Sequence, residues 1–261
     1  MDLNLKGKRA VVCGSTQGIG KAAALELAML GASITLVARN ELKLNDTLQE
    51  LATGSRQQHG YLVADFNAPD KLNDVILDYA GSNRVHILVN NTGGPPAGLA
   101  IDASVAEYHQ AFNNHLICNH LLAQAFVAGM KAEHYGRIIN VISTSVKAPI
   151  SGLGVSNTIR GAVASWSKTL ATERGAFGIT VNNVLPGSTM TQRLQSVLEE
   201  KSRKSGTSTE TAMSEMISDI PAGRIAEAHE IASAIAFLAS PAAAYINGIN
   251  LPVDGGRTRS L

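Results

Sequence analysis

The chain of 261 residues carries 22 lysines and arginines against 21 aspartates and glutamates, a formal net charge of +1 at neutral pH. That balance excludes a strongly basic nucleic-acid binder and a polybasic membrane clamp. Hydrophobic residues make up 45% and charged residues only 16%, where soluble domains average about 25% charged, so part of the surface is expected to be buried in an oligomer. The length suits one α/β domain, a class that reaches about 250 residues. Cys13 and Cys118 lie inside apolar segments, where free thiols act as small hydrophobes, and two cysteines make no disulfide framework. With no signal-peptide core and no bilayer-length apolar run, a cytoplasmic protein with no membrane partner is expected.

Short β-branched runs alternate with helical patterns, the mark of βαβ units around a buried parallel sheet. Strands are predicted at Ala10–Cys13, Ser33–Ala38, Tyr61–Asp65, His86–Asn90, Arg137–Ile142, Thr180–Leu185 and Gly248–Val253. Between the first two, Ile19, Ala23, Leu27 and Leu30 recur at helical spacing, and Gly31 stands where a helix C-terminus wants a left-handed residue. Ile159, Val163, Trp166 and Leu170 repeat at intervals of four, three and four and predict a second buried helical face. About seven strands with intervening helices make one doubly wound, Rossmann-type sheet in a single domain over 1–261. Gln192–Ile220 turns polar just after a Pro-Gly turn, and an insertion leaving the sixth strand is expected to lie over the ligand crevice as a mobile lid. Its basic run from Lys201 to Lys204 either steers an anionic substrate or is simply solvated.

Cys13-Gly14-Ser15-Thr16-Gln17-Gly18-Ile19-Gly20 follows the first strand and opens the first helix. Glycines there let the backbone approach phosphate at the positive end of the helix. At the end of the second strand, where an acidic residue would hold the adenosine ribose of NAD, stand Ala38 and Arg39. An arginine there pairs with a 2′-phosphate, and no carboxylate repels it, so NADP(H) is expected in preference to NAD(H).

On these residues the chain resembles the classical short-chain dehydrogenase/reductase family, from about Leu5 to Gly256, and most generally its 3-oxoacyl-carrier-protein reductase and sugar-alcohol dehydrogenase type. Asn90-Asn91-Thr92-Gly93 is similar to the family's Asn-Asn-Ala-Gly segment, and Asp65-Phe66 to its adenine-contacting pair. Pro186-Gly187 with Thr189 and Thr191 resembles the turn that holds the nicotinamide carboxamide, and Val253-Asp254-Gly255-Gly256 the family's ending. The resemblance implies cofactor contacts from Asn91, Gly93, Asp65, Phe66, Pro186, Gly187, Thr189 and Thr191 besides the glycine loop, and assembly as a homotetramer or homodimer.

The catalytic positions depart from the family. Its chemistry uses a tyrosine, a lysine four residues later, a serine 13 residues before the tyrosine, and an upstream asparagine. Ser143 fits the serine; counting on gives Ser156 and Arg160 for the tyrosine and lysine, and the register places His115 at the asparagine. None of Tyr61, Tyr79, Tyr108, Tyr135 and Tyr245 is followed four residues later by lysine. Arg160 can still bind the nicotinamide ribose through its forked donors. A serine is a far weaker acid than a phenol of pKa about 10, so the expected proton sources are water on Ser143, His115 feeding that water, or Lys147. A packed helix histidine is the other reading of His115. His109, His115 and His120 have no metal-ligand spacing, and no metal is expected.

The expected function is an NADP(H)-dependent oxidoreductase interconverting a small-molecule carbonyl and alcohol, 3-oxoacyl-thioester reductase-like, with Ser143, His115, Ser156 and Arg160 as a non-standard catalytic set. The alternative is an inactive NADP(H)-binding homologue, a sensor or assembly partner.

Overall fold

In the computed structural model, which describes residues 1–54 and 56–260, the β-branched runs form seven parallel strands among the described residues. They are β1 (Arg9–Cys13), β2 (Ser33–Ala38), β3 (Gly60–Val63), β4 (Ile87–Asn90), β5 (Gly136–Val141), β6 (Ile179–Pro186) and β7 (Asn250–Val253). Their order is β3-β2-β1-β4-β5-β6-β7, so the chain turns back across β1 to form β4 on the far side. In such a sheet the crevice at that reversal, beyond the strands' carboxyl ends, is where ligands bind. β4 and β5 are buried throughout, as a parallel sheet covered on both faces requires. The seven predicted strands are all present, with no end shifted by more than two residues.

The helices are α1 (Gly18–Met29), α2 (Glu41–Glu50), α3 (Pro69–Ser82), α4 (Val105–Phe112), α5 (Cys118–Ala132), α6 (Gly154–Arg174), α7 (Gln192–Ser205), α8 (Thr209–Ser218) and α9 (Ala228–Ala239). On one sheet face Ala23, Leu27, Ile231 and Ile235 of α1 and α9 pack on Val12, Ile34 and Val89. On the other, Leu72, Ile76, Leu122 and Phe126 of α3 and α5 pack on Val11, Val37 and Leu88. Gly31 ends α1 as expected: at φ +99° its N–H donates to Ala28 O at 2.9 Å while the Ala32 N–H donates to Leu27 O at 3.0 Å. This Schellman pair satisfies carbonyls that the helix end would orphan.

On α6, Ile159 and Val163 are buried, but Trp166 and Leu170 are only partly so, and the inner face runs through Val155, Arg160, Ser167 and Ala171 instead. Across the carboxyl half of the sheet, Asn90 donates to Asn140 (2.8 Å), Asn140 to Asn183 (3.1 Å) and Asn183 to Asn250 (2.8 Å). This run of amides ties four neighbouring strands together side by side beneath the crevice. Both cysteines are buried and unbridged, and burial pushes the Cys118 thiol up to about 12. Among the described residues no helix is long and apolar enough to cross a membrane.

Candidate active site

A cleft of about 880 Å³ opens along the carboxyl ends of the strands. The first six strands deliver wall residues as they end: Gly14 after β1, Arg39 after β2, Asp65 after β3, Asn91 after β4, Ser143 after β5 and Gly187 after β6.

The first turn is built for close approach. Gly14 and Gly18 have φ of +59° and +53°, a region costly to residues with a Cβ. A Cβ on Gly14 would lie 2.5 Å from Asn91 O, and one on Gly20 2.2 Å from Gly14 O. Ser15 is buried and does not reach the cleft; its Oγ accepts from the Val37 N–H at 3.0 Å and pins the turn to β2. Asn91 pins the other side, its amide donating to Cys13 O (3.4 Å) and Gly14 O (3.3 Å). Thr16, Gln17, Gly18 and Ile19 line the wall. The N-terminus of α1 has no side-chain cap and no acidic residue in its first turn, so its free N–H groups and dipole face the cleft as an anion site.

Beyond β2, Arg39, Asn40 and Lys43 line the cleft where a carboxylate would otherwise stand. Beyond β3, Asp65 accepts from the Asn67 backbone and side-chain amides, both at 2.9 Å, and Phe66 joins it on the wall. Gly93, Pro186, Gly187, Thr189 and Thr191 also line it. The residues present therefore fit a dinucleotide. Lys43 and Asn40 were missed by sequence reasoning; Asn40 is the N-cap of α2, its side chain accepting from the Lys43 N–H at 3.0 Å, and Lys43 stands in the first turn.

At the other end Ser143, Ser156 and Arg160 line the same cleft. The Ser143 Oγ accepts from the Ser145 N–H at 3.1 Å, which leaves its hydroxyl hydrogen free to donate into the cleft. Arg160 is buried, one turn after Ser156, and donates to Val141 O at 3.2 Å. Burial and the nearby Arg193 lower its pKa to about 10, so the guanidinium stays charged at neutral pH.

His115 stands elsewhere. It sits in a π-helical turn, Asn113–Ile117, inserted between α4 and α5, a distortion that often marks functional sites. It is 1% exposed, lies behind the cleft wall, and its Nδ1 is 2.5 Å from Thr92 Oγ1. Burial and Arg160 hold its pKa down to about 2. Of its two readings, a histidine feeding water on Ser143 and a packed helix histidine, this placement favours the second: the ring stands behind the wall against Thr92, which does line it. Lys147 is also outside the cleft lining.

The polar stretch after Thr191 forms a helix pair, α7 and α8, held by Leu194, Leu198, Ala212 and Ile220. Arg193, Leu194, Val197 and Met216 line the cleft. The side chains of Lys201 and Lys204 lie outside the described residues. Arg193 Nη2 donates to Pro95 O at 2.6 Å, joining the helix pair to the loop after β4. Sequence reasoning missed Arg193, although it follows Thr191 by two residues. Pro95 is buried and Pro96 exposed, and neither lines the cleft; the wall there is Thr92, Gly93 and Gly94. No group of three metal-ligating side chains occurs among the described residues.

A parallel sheet with this order and a glycine turn at its reversal define a dinucleotide-binding α/β protein. A family model described as enoyl-(acyl carrier protein) reductase matches residues 14–258. The chain is 34% identical over 259 residues to the 3-oxoacyl-[acyl-carrier-protein] reductase FabG of Vibrio cholerae, covering 97% of this chain and 98% of that protein. It is 33% identical over 265 residues to the uncharacterized oxidoreductase YvrD of Bacillus subtilis, covering all of both. The fold superposes on L-sorbose reductase from Gluconobacter frateurii, solved with NADPH and L-sorbose, with a TM-score of 0.93 at 30% identity over the whole of both chains. The chain belongs to the classical short-chain dehydrogenase/reductases, among the 3-oxoacyl-carrier-protein reductase-like members.

Proposed function

We propose that this protein is an NADP(H)-dependent oxidoreductase that interconverts a carbonyl and an alcohol with a non-standard catalytic set. The observation that carries the reading is one continuous cleft lined by Gly14, Arg39, Ser143 and Arg160. NADP(H) would lie with its bridging phosphates on the turn at 14–20 and the α1 N-terminus, and its 2′-phosphate against Arg39 and Lys43. When bound, the nicotinamide supplies or accepts the hydride. Arg160 holds the neighbouring ribose hydroxyls with its fork, and Ser143 donates its free hydroxyl hydrogen to the carbonyl oxygen. Pro186, Gly187, Thr189 and Thr191 hold the carboxamide side, as the family resemblance implies.

An alkoxide needs a proton, and with serine at residue 156 and a neutral His115 behind the wall no strong acid faces the cleft. The proton comes from water held between Ser143 and Ser156, so turnover is slow relative to relatives with a positioned phenol, since general acid catalysis contributes roughly 10²–10⁴-fold. The same observation favours a second reading, a nucleotide-binding protein without turnover. Following NADPH absorbance against ketones, aldehydes and 3-oxoacyl thioesters separates the two. Slow turnover of at least one class, raised roughly a hundredfold by Ser156→Tyr with Arg160→Lys, is the expected result. Tight NADPH binding with background rates throughout overturns the catalytic reading in favour of the second.

A further inference from the structure

The cleft is electrically lopsided. Among its lining residues the one carboxylate is Asp65, at the end of β3. The far end carries Arg160, Arg193 and Arg257. Arg257 has a counter-charge, its Nη2 lying 4.0 Å from Asp219 Oδ2. Arg160 and Arg193 meet no carboxylate among the described residues; each donates to a main-chain carbonyl, of Val141 and Pro95.

A buried cation without a paired anion is costly, and a second cation close enough to lower its pKa adds to that cost. Arg193 also stands in the first turn of α7, which contains no acidic residue and whose dipole adds positive potential at this end. Ser156 leaves open the space that a phenol ring would fill, so the donors of Arg160, one turn on, are reachable from the cleft. The α1 N-terminus and the glycine turn form a separate anion site at the sheet's reversal. With the bridging phosphates on that turn and the 2′-phosphate on Arg39 and Lys43, the charge at the Arg193 end is one anion site more than the cofactor requires.

We propose that the substrate carries its own acid group, as an oxo acid or a phosphorylated carbonyl compound, and that this anion sits on the Arg193 fork, with the charge of ribose-bound Arg160 behind it, while the carbonyl oxygen rests on Ser143. This rests on the reading of the cleft as an NADP(H) site.

Three probes test it in protein saturated with NADPH: acetoacetate, dihydroxyacetone phosphate and the neutral 2-pentanone, each followed by the change in bound-cofactor fluorescence. If NADPH itself fails to bind, the cofactor reading falls and takes this inference with it. With NADPH bound, at least one anion is expected to bind tenfold or more tighter than 2-pentanone, and the tighter of the two identifies carboxylate or phosphate as the recognised group. Arg193→Ala should weaken that anion by roughly tenfold to a hundredfold, the scale of charge-assisted hydrogen bonds. Its unchanged affinity for NADPH reports an intact fold. Arg193→Lys should recover only part, because it keeps the charge and loses the fork. Two results overturn the proposal while leaving the cofactor reading intact. One is anions binding no tighter than 2-pentanone, or not at all. The other is Arg193→Ala weakening NADPH by the same factor as the anion, which would assign that guanidinium to the cofactor's phosphates.

Discussion

Single side chains decide both ends of this cleft. Arg39 and Lys43 both line the cleft after β2 while Glu41 between them does not, so Arg39→Ala is expected to weaken NADPH by roughly tenfold to a hundredfold while leaving NADH within a few-fold. Fluorescence titration of both nucleotides checks this, and an equal loss for the two would deny Arg39 a 2′-phosphate. His115 makes a different prediction. Its folded pKa, about 2, lies far below the ordinary histidine value of about 6.5 because the ring is buried and faces Arg160. Between those values the unfolded chain binds a proton that the folded chain refuses, so stability falls as pH drops through that window, by up to about 1.4 kcal/mol per unit. Buried His86 acts in the same direction. His115→Asn should flatten the slope of urea stability between pH 7 and pH 5 without abolishing it; a variant as acid-sensitive as its parent would show that the ring titrates normally. Sequence spacing located His115 by register but not its burial, because a π turn shifts which side of a helix faces inward and leaves no spacing signal. Arg193 was illegible for a related reason: its role depends on Arg160, 33 positions earlier in the chain, reaching the same space.

At the scale of elements, the sheet was legible because its strands are continuous β-branched runs bounded by turns, and parallel burial on both faces leaves little alternative register. The Gly31 stop was legible because only a residue free to take φ near +99° closes that helix end without strain. The segment after Thr191 was legible only as polar. Its buried residues Leu194, Leu198, Ala212 and Ile220 come from both helices and the turn after them and meet one another, a pairing that spacing within either helix does not announce. We propose that this pair opens and closes over the cleft. It rests on a small cluster apart from the two sheet cores, and such segments open at lower free energy than the core. Leu198 is buried at its centre, and Leu198→Ala should cost about 2–5 kcal/mol locally. Amide exchange should then quicken across 192–218 while β4 and β5 stay protected. Uniform loss of protection throughout the sheet would mean that the pair and the core unfold as one unit.

At the scale of the whole molecule, the low charge fraction leaves apolar side chains facing outward. Ile101 and Val105 are 89% and 71% exposed, and Leu99 and Phe112 lie nearby in sequence with substantial exposure. Phe112 follows Val105 by two helical turns, so both stand on one side of α4, and Trp166 on α6 is only partly covered. Scattered exposed apolar residues are ordinary, but several gathered on one helix and the segment leading into it mark an association surface. We therefore expect two or four copies to assemble, with the α4 side in the contact. Sedimentation velocity should give the mass of a dimer or tetramer at micromolar concentration. Ile101→Lys with Val105→Lys should shift that mass toward a single chain while NADPH binding persists, because neither residue lines the cleft. A parent protein that sediments as one chain at every concentration would remove the assembly, and an unchanged oligomer in the double variant would move its contact away from α4.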